Sequence, residues 1–104
     1  MIYKRGSTHK DKIVVTFEIP GSIWAERIHL VGDFNGWDRD SLPFQPTRQE
    51  NWQVQIELDQ GREYRFRYLV DGVYWQSEWH ADRHSAGEDG VFDSVVIAQL
   101  PQAA

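Results

Sequence analysis

Apolar and polar residues alternate along much of this chain, and that alternation leaves few possible folds. Residues 52–58 place Trp, Val, Ile and Leu at every second position, with Gln and Glu between them. Residues 64–70 place Tyr, Phe, Tyr and Val in the same way, around Arg65 and Arg67. A period of two is typical of half-buried β-strands, and no stretch shows the 3.6-residue period of an amphipathic helix. The sequence therefore predicts an all-β fold.

Further short strands are predicted at residues 13–19, 28–30, 73–75 and 94–98. Turn residues separate them, and Asp71-Gly72 is a typical hairpin pair. Residues 77–90 are polar and predict a long loop. About seven short strands with regular turns favour an immunoglobulin-like antiparallel β-sandwich, with a small closed barrel as the alternative.

A length of 104 residues fits one domain. We expect an N-terminal extension at residues 1–11, the β-sandwich at 12–98 and a C-terminal tail at 99–104. The basic residues near the start are interpreted as a frayed, solvated terminus. They are Lys4, Arg5, Lys10 and Lys12.

Composition argues against several classes of function. The net charge of -5 opposes nucleic-acid binding, which normally requires a basic surface. The lack of cysteine rules out disulfides and thiolate chemistry. No apolar run predicts a signal peptide or a membrane span, so we expect a cytoplasmic protein with no membrane partner.

Catalysis and metal binding are not expected either. A glycosidase needs two carboxylates facing each other across a cleft, and a sandwich of this size has little room for one. Nucleophile-elbow and phosphate-loop motifs do not occur in the sequence. His80 and His84 are four residues apart, but their surroundings predict a loop, which does not fix a common face for a metal. We predict no catalytic residue, no metal site and no cofactor.

The chain has five tryptophans among 104 residues, more than a core built from Val, Ile and Leu needs. Trp52 shares the register of a predicted strand and is expected in the core, whereas Trp24 follows a turn and could cap the sandwich. Trp37 and Trp75 adjoin predicted loops instead. An indole can stack on the C–H face of a pyranose ring, while nearby Arg, Asn and Asp side chains bind its hydroxyls. Two interpretations stay open for Arg65 and Arg67: ordinary solvent-facing charge, or donors to sugar hydroxyls.

Three motifs resemble, in order, those of glycogen-binding modules. Leu30-Val-Gly-Asp-Phe-Asn-Gly-Trp-Asp38 resembles their first loop. Tyr64-Arg-Phe-Arg-Tyr-Leu-Val-Asp-Gly72 resembles their second signature, and Gly90-Val-Phe-Asp-Ser-Val-Val96 resembles their last strand. The family includes the early-set N-terminal domains of isoamylases and branching enzymes, and the glycogen-binding domain of AMP-activated protein kinase beta subunits.

The resemblance implies an immunoglobulin-like sandwich that binds α-1,4-linked glucan without cleaving it. It implies that Trp37 and Trp75 stack on successive glucose units, with Tyr74 as an alternative to Trp75. Arg67 falls on a basic position of the family's site. Asp93 stands where the family has a hydrogen-bonding Asn, and Asp89 stands near a hydrophobic position.

Our candidate carbohydrate-binding residues are thus aromatic platforms with a polar rim. They are Trp37, Trp75, Arg67, Asp93, Tyr74 and Asn35. The alternative function is a protein-interaction module that docks on a glycogen-metabolising enzyme or a kinase and binds no sugar itself. The stretch from Tyr68 to Arg83 is most similar to short stand-alone bacterial proteins that consist of the early-set domain alone.

Overall fold

The computed structural model describes residues 1–22, 24–87, 89–90 and 92–100. In this part of the chain nine β-strands form two antiparallel sheets. The strands are β1 (Ile2–Gly6), β2 (Lys12–Ile19), β3 (Ile28–Gly32), β4 (Gln45–Pro46), β5 (Trp52–Asp59), β6 (Glu63–Val70), β7 (Tyr74–Gln76), β8 (Arg83–Ala86) and β9 (Phe92–Ile97). One short 3₁₀ turn covers Asp33–Asn35.

The strand order identifies the sandwich as immunoglobulin-like. One sheet has the order β1-β2-β5-β4, and the other has the order β3-β6-β9-β8, with β7 also paired to β6. The first sheet matches the A-B-E-D sheet of immunoglobulin constant domains, and β3-β6-β9 matches their C-F-G sheet. The prediction of an antiparallel sandwich is confirmed. The two strands beyond the usual seven, β7 and β8, both lie between β6 and β9 in the chain.

The core lies between the sheets and uses the alternating positions of the sequence. Buried side chains on β2 and β6 face each other across it, and Phe17 and Phe66 form an edge-to-face pair with ring centroids 5.1 Å apart. Trp52 is partly buried and packs against this core, as predicted. The fully assembled cluster contains Ile13, Val15, Phe17, Ile19, Ile28, Leu30, Phe44, Leu58, Phe66, Tyr68, Val70, Val96 and Ala98.

A tyrosine at the start of β6 ties the two sheets together. The backbone N–H of Asp59, at the end of β5, donates a hydrogen bond of 3.1 Å to the hydroxyl of Tyr64. A tyrosine in this position, bonded to the backbone a few residues upstream, is typical of immunoglobulin-like sandwiches. The contact fixes the corner at which the chain passes from one sheet to the other.

The predicted hairpin at Asp71-Gly72 is confirmed. Both residues have positive φ angles, 52° and 74°, as a type I′ turn requires. The Asp71 carboxylate also accepts hydrogen bonds from the backbone N–H groups of Glu26 and Arg27, at 2.7 and 3.1 Å. This turn therefore joins the start of β3 to the end of β6.

Two interpretations of the chain's polar segments are wrong. The N-terminus is not frayed in the structure, because Ile2–Gly6 forms β1 and pairs with β2 along its whole length. Lys4 adds an ion pair with Asp82 at 2.7 Å. Residues 77–90 are not one continuous loop, because Arg83–Ala86 forms β8. Both strands, like the unpredicted β4, lie at a sheet edge, where exposed polar side chains remove the alternating pattern.

A buried carboxylate, that of Glu78, links the segment after β7 to the core. It is 5% exposed and accepts hydrogen bonds from the Tyr68 hydroxyl at 3.0 Å and the His80 backbone N–H at 2.7 Å. Burial acts to raise the pKa of Glu78, but hydrogen bonds from the N-terminal ammonium and from the His80 backbone together outweigh it, so the net pKa lies below its usual value. Burial and the nearby carboxylate together raise the pKa of Tyr68 well above 10.

No helix in the described part of the chain is long and apolar enough to cross a membrane. The cytoplasmic location and the boundaries of the extension and the tail stay predictions.

Candidate functional site

The first motif forms a compact loop, residues 32–37, whose inner residues are held against the second sheet. A Cβ atom on Gly32 would lie 2.5 Å from the Arg65 carbonyl oxygen, so only glycine fits between the loop and β6. Phe34 packs beside the core, with its ring centroid 6.0 Å from those of Phe17 and Tyr64. These two residues explain why the loop has one defined position on the sandwich.

Asn35 ties the loop together through its side-chain amide. Its Oδ1 accepts a hydrogen bond from the Gly32 N–H at 3.0 Å, and its Nδ2 donates to the Asp38 carbonyl at 3.0 Å and to the Ser41 hydroxyl at 2.9 Å. A longer bond of 3.3 Å joins Nδ2 to the Leu30 carbonyl. The contacts of Asn35 are thus with the protein itself, which supports a positioning role for it.

Trp37, the last residue of the loop, has an unusual backbone conformation. Its φ angle is +61°, and the preceding Gly36 has +65°. The left-handed region is rare for bulky residues and costs about 1–2 kcal/mol. The indole Nε1 donates a 2.9 Å hydrogen bond to Asp33, whose second carboxylate oxygen accepts the Arg65 backbone N–H at 2.8 Å. The strained backbone thus holds a partly exposed indole, 36% accessible, in a fixed orientation.

Arg67 lies beside this loop on the outer side of β6, bound by two carboxylates. Its Nε donates to Asp93 at 2.6 Å, and Nη1 and Nη2 donate to Asp89 at 2.9 and 3.0 Å. The Arg67 and Asp93 side chains are only 10% and 8% exposed. The hydrogen bond to Asp89, more than that to Asp93, raises the pKa of Arg67 despite its burial, which keeps the guanidinium charged.

Asp89 and Asp93, the two departures from the motifs that the sequence resembles, therefore share one partner. Asp89 and Asp93 both bind Arg67, so the two carboxylates compensate the charge of a largely buried guanidinium. Arg65 is different because its side chain is 49% exposed and its Nη1 is 3.9 Å from Asp93. Of the two arginines, Arg65 presents more of its surface to solvent.

Trp75 lies on β7, which pairs with β6 so that Trp75 is opposite Leu69. Its indole is 36% exposed, like that of Trp37. Two guanidinium groups make cation–π contacts with the ring. The Cζ atom of Arg39 is 5.3 Å from the ring centroid, and that of Arg67 is 5.9 Å from it. Arg67 is thus in contact with the second tryptophan as well as with the carboxylates.

A shallow cavity of about 430 Å³ brings most of these groups together. It is lined by Asp33, Trp37, Arg65, Arg67, Asp89 and Asp93. Three of the predicted residues, Trp37, Arg67 and Asp93, thus share one surface. Trp75 adjoins it through Arg67, whereas Tyr74 is exposed on β7 and the Asn35 side chain is bonded within the loop, and neither is in this lining. The cavity offers one indole face surrounded by fixed hydrogen-bond donors and acceptors.

Sequence reasoning missed three contributors to the site. Asp33 orients the Trp37 indole, Asp89 binds Arg67, and Arg39 stands over Trp75. Asp33 lies inside the first motif, so its position there was a usable signal. Asp89 stood out in the sequence only as a departure from the resembled motifs. Its bond to Arg67, like the position of Arg39, becomes visible only when the chain is folded.

Trp24 does not cap the sandwich, because its side chain is 97% exposed. The two histidines considered as metal ligands have other contacts: His84 Nε2 lies 2.8 Å from the Glu78 carbonyl oxygen, and His80 Nδ1 lies 3.6 Å from the Glu78 carboxylate. Within the described residues, His, Asp and Glu side chains do not form any group of three or more suited to a metal ion.

Comparison with known proteins places the chain in a family. No curated protein matches the chain. The family model of carbohydrate-binding module 48, the isoamylase N-terminal domain, matches residues 21–85, which is more than half of the chain. The match includes Trp37, Arg67 and Trp75, and it ends before Asp89 and Asp93. The general function is therefore carbohydrate binding, and the chain belongs to the carbohydrate-binding module 48 family.

Proposed function

We propose that this protein binds α-1,4-linked glucan, such as glycogen or starch, without cleaving it. The observation that carries the proposal is the backbone of Trp37. Gly32, Phe34 and Asn35 hold the loop against the rest of the protein. The loop keeps the indole of Trp37 partly exposed, with the Trp37 backbone at a φ of +61°. Strain of this kind persists where the surrounding structure enforces it, and it is concentrated at binding sites.

The cavity suits a neutral sugar. The indole of Trp37 offers a flat apolar face for the C–H side of a glucose ring, and its orientation is fixed by the hydrogen bond to Asp33. Arg65, half exposed on the same wall, can donate to hydroxyl groups without breaking a buried ion pair. Arg67 and Asp93 complete the polar rim in our proposal, and Trp75 provides the second platform.

The shape of the site predicts modest affinity. It is a shallow surface cavity with two stacking platforms, each contributing on the order of 1–2 kcal/mol. We expect dissociation constants of about micromolar to millimolar for single oligosaccharides. Several modules bound along one polymer would bind more tightly through avidity.

The carboxylates of the cavity support binding without catalysis. Asp89 and Asp93 both accept hydrogen bonds from the same guanidinium, and Asp33 accepts from the Trp37 indole and from the Arg65 backbone. A glycosidase requires one carboxylic acid and one carboxylate on opposite sides of the scissile bond. These three side chains instead have structural partners.

Affinity electrophoresis in native gels containing glycogen or amylopectin tests the proposal. We expect glycogen to retard the wild type, and Trp37→Asn and Trp75→Ala each to abolish most of the retardation. Asparagine is chosen because it tolerates the left-handed backbone, so the fold should be retained. Trp24→Ala is the matched control, since it also removes an exposed tryptophan but lies outside the cavity lining.

Folding of each variant is checked by circular dichroism and thermal melting. If folded wild type migrates unretarded at high glycogen, the proposed function is wrong. If Trp37→Asn unfolds the protein while wild type binds, Trp37 supports the fold, and Trp75→Ala compared with Trp24→Ala then tests the position of the site.

A second candidate function rests on Trp24. Its nearly complete exposure is costly in water and is not used by the glucan site. Exposed tryptophans are frequent anchors of protein interfaces, which favours a docking surface for a glycogen-metabolising enzyme. Loss of enzyme binding in Trp24→Ala, with glycogen retardation unchanged, supports this second function in addition to the first.

A further inference from the structure

A second cavity, of about 450 Å³, lies beside the candidate site at the end of β7. Among the described residues its lining contains three aromatic side chains, Trp75, Trp79 and Phe92. The polar side chains of Gln76, Ser77 and His84 complete it. We call this cavity the aromatic groove.

The aromatic groove contains two large aromatic side chains that folding leaves exposed. Trp79 is 85% exposed and Phe92 is 59% exposed, and neither belongs to the core cluster or packs against it. Phe92 begins β9, and its carbonyl oxygen accepts a hydrogen bond of 3.3 Å from the Ser77 hydroxyl. Trp79 lies in the turn between Glu78 and His80, which are joined by a hydrogen bond of 2.7 Å from the His80 backbone N–H to the Glu78 carboxylate. Neighbouring exposed aromatic side chains on a rigid framework indicate a binding surface.

Trp75 joins the aromatic groove to the candidate glucan site. Its ring lines the groove, and the guanidinium of Arg67, which lines the first cavity, is 5.9 Å from the centre of the same ring. A polymer that stacks on Trp75 therefore reaches both cavities. A ligand that leaves the first cavity past Trp75 meets Trp79 and Phe92 next.

The chemistry of the aromatic groove favours a neutral ligand. Its described lining has no carboxylate, ammonium or guanidinium group, whereas the first cavity has several. Flat aromatic side chains with an amide, a hydroxyl and an imidazole match the apolar faces and hydroxyl rim of hexoses. Continuity with Trp75 and this neutral lining favour a sugar chain over a charged partner.

We propose that the aromatic groove is a second glucan subsite, in which Trp79 and Phe92 bind the continuation of a chain already stacked on Trp37 and Trp75. The inference rests on the proposed function and adds a chain-length preference to it. A short oligosaccharide fills the first cavity alone, and a long one fills both. The protein thereby prefers long linear glucan chains over short ones.

Isothermal titration calorimetry with maltotriose and maltoheptaose tests the inference. We expect wild type to bind maltoheptaose more tightly. Trp79→Ala should weaken maltoheptaose binding about five- to tenfold and change maltotriose binding less than about twofold, since one stacking contact is lost only for the longer chain. Phe92→Ala, a second variant at an exposed position, should act in the same direction.

Two controls separate the subsite from the site beside it. Trp37→Asn should weaken both sugars, and Trp24→Ala should weaken neither. Unchanged maltoheptaose binding in Trp79→Ala and Phe92→Ala, with Trp37→Asn impaired, overturns the second subsite and leaves the proposed function intact. Equal losses for both sugars also overturn the chain-length preference. If wild type binds neither sugar, both proposals are wrong, and the groove is then a candidate surface for a protein partner.

Discussion

Asp93→Ala removes one of the two carboxylates that compensate the buried charge of Arg67. The lost hydrogen bond is the short one, 2.6 Å from Nε, and the two side chains are 10% and 8% exposed. A hydrogen bond to a charged group contributes about 1.5–3 kcal/mol, and breaking a buried ion pair costs about 3–5 kcal/mol. Because Asp89 still binds Arg67, we expect the lower end, about 3 kcal/mol of lost unfolding free energy.

Urea unfolding followed by tryptophan fluorescence measures this loss directly. In a thermal melt the same change lowers the Tm by at least about 12 °C, because 1 kcal/mol corresponds to about 4–8 °C in a domain of this size. Asp93→Asn keeps one acceptor oxygen and should cost about 1 kcal/mol. Asp89→Ala should also cost about 1 kcal/mol, because the Asp89 side chain is 57% exposed and its pair is screened by solvent.

Glu63→Gln is the matched control. It also breaks an arginine–carboxylate pair, with Arg83, but the two side chains are 46% and 52% exposed, so the cost should stay below about 0.5 kcal/mol. If Asp93→Ala costs no more than Glu63→Gln, the buried ion pair does not stabilise the fold and our reasoning is refuted. A double-mutant cycle with Arg67→Met and Asp93→Ala should give a coupling energy above about 1 kcal/mol.

Three further predictions concern stability. Tyr64→Phe removes the hydroxyl that accepts the Asp59 N–H and should cost about 1 kcal/mol in urea unfolding; an unchanged midpoint would contradict the proposed corner. Gly32→Ala forces a Cβ against the backbone of β6 and should cost more than about 2 kcal/mol in a thermal melt, whereas Gly6→Ala, whose nearest contact would be 4.0 Å away, should change little. Glu78 has a folded-state pKa below its unfolded value, so its ionisation stabilises the fold above the unfolded pKa, and this contribution is lost as pH falls through the lower folded pKa. Urea titrations from pH 7 to 3 should therefore show a stability difference between wild type and Glu78→Gln that is constant above about pH 5 and shrinks below it; a constant difference at all pH values would contradict this.

The amino-acid sequence by itself determined the buried strands and the first loop. The alternation in residues 52–58 reports greater burial on one face of β5, a local property that needs no knowledge of partners. In β6 the same alternation is present, but the folded protein also buries Arg67 and Leu69 on the other face. Gly36 and Trp37 lie within a motif whose contacts are made within a few residues or to the adjoining strand, so the resemblance of this short segment to a known loop was enough to locate it.

The tertiary structure alone decided the sheet edges and the partners of the charged residues. β1, β4 and β8 lie at the edges and expose most of their side chains, so they carry no alternating pattern, although each pairs with the next strand along the chain. Arg67 meets Asp89 and Asp93 across 22 and 26 residues. The exposure of Trp24 and the placement of Trp75 between two cavities follow from packing in the same way. The residues next to a side chain in the sequence do not show which distant segments will cover it. Whether it is buried is therefore decided only when the two sheets pack together.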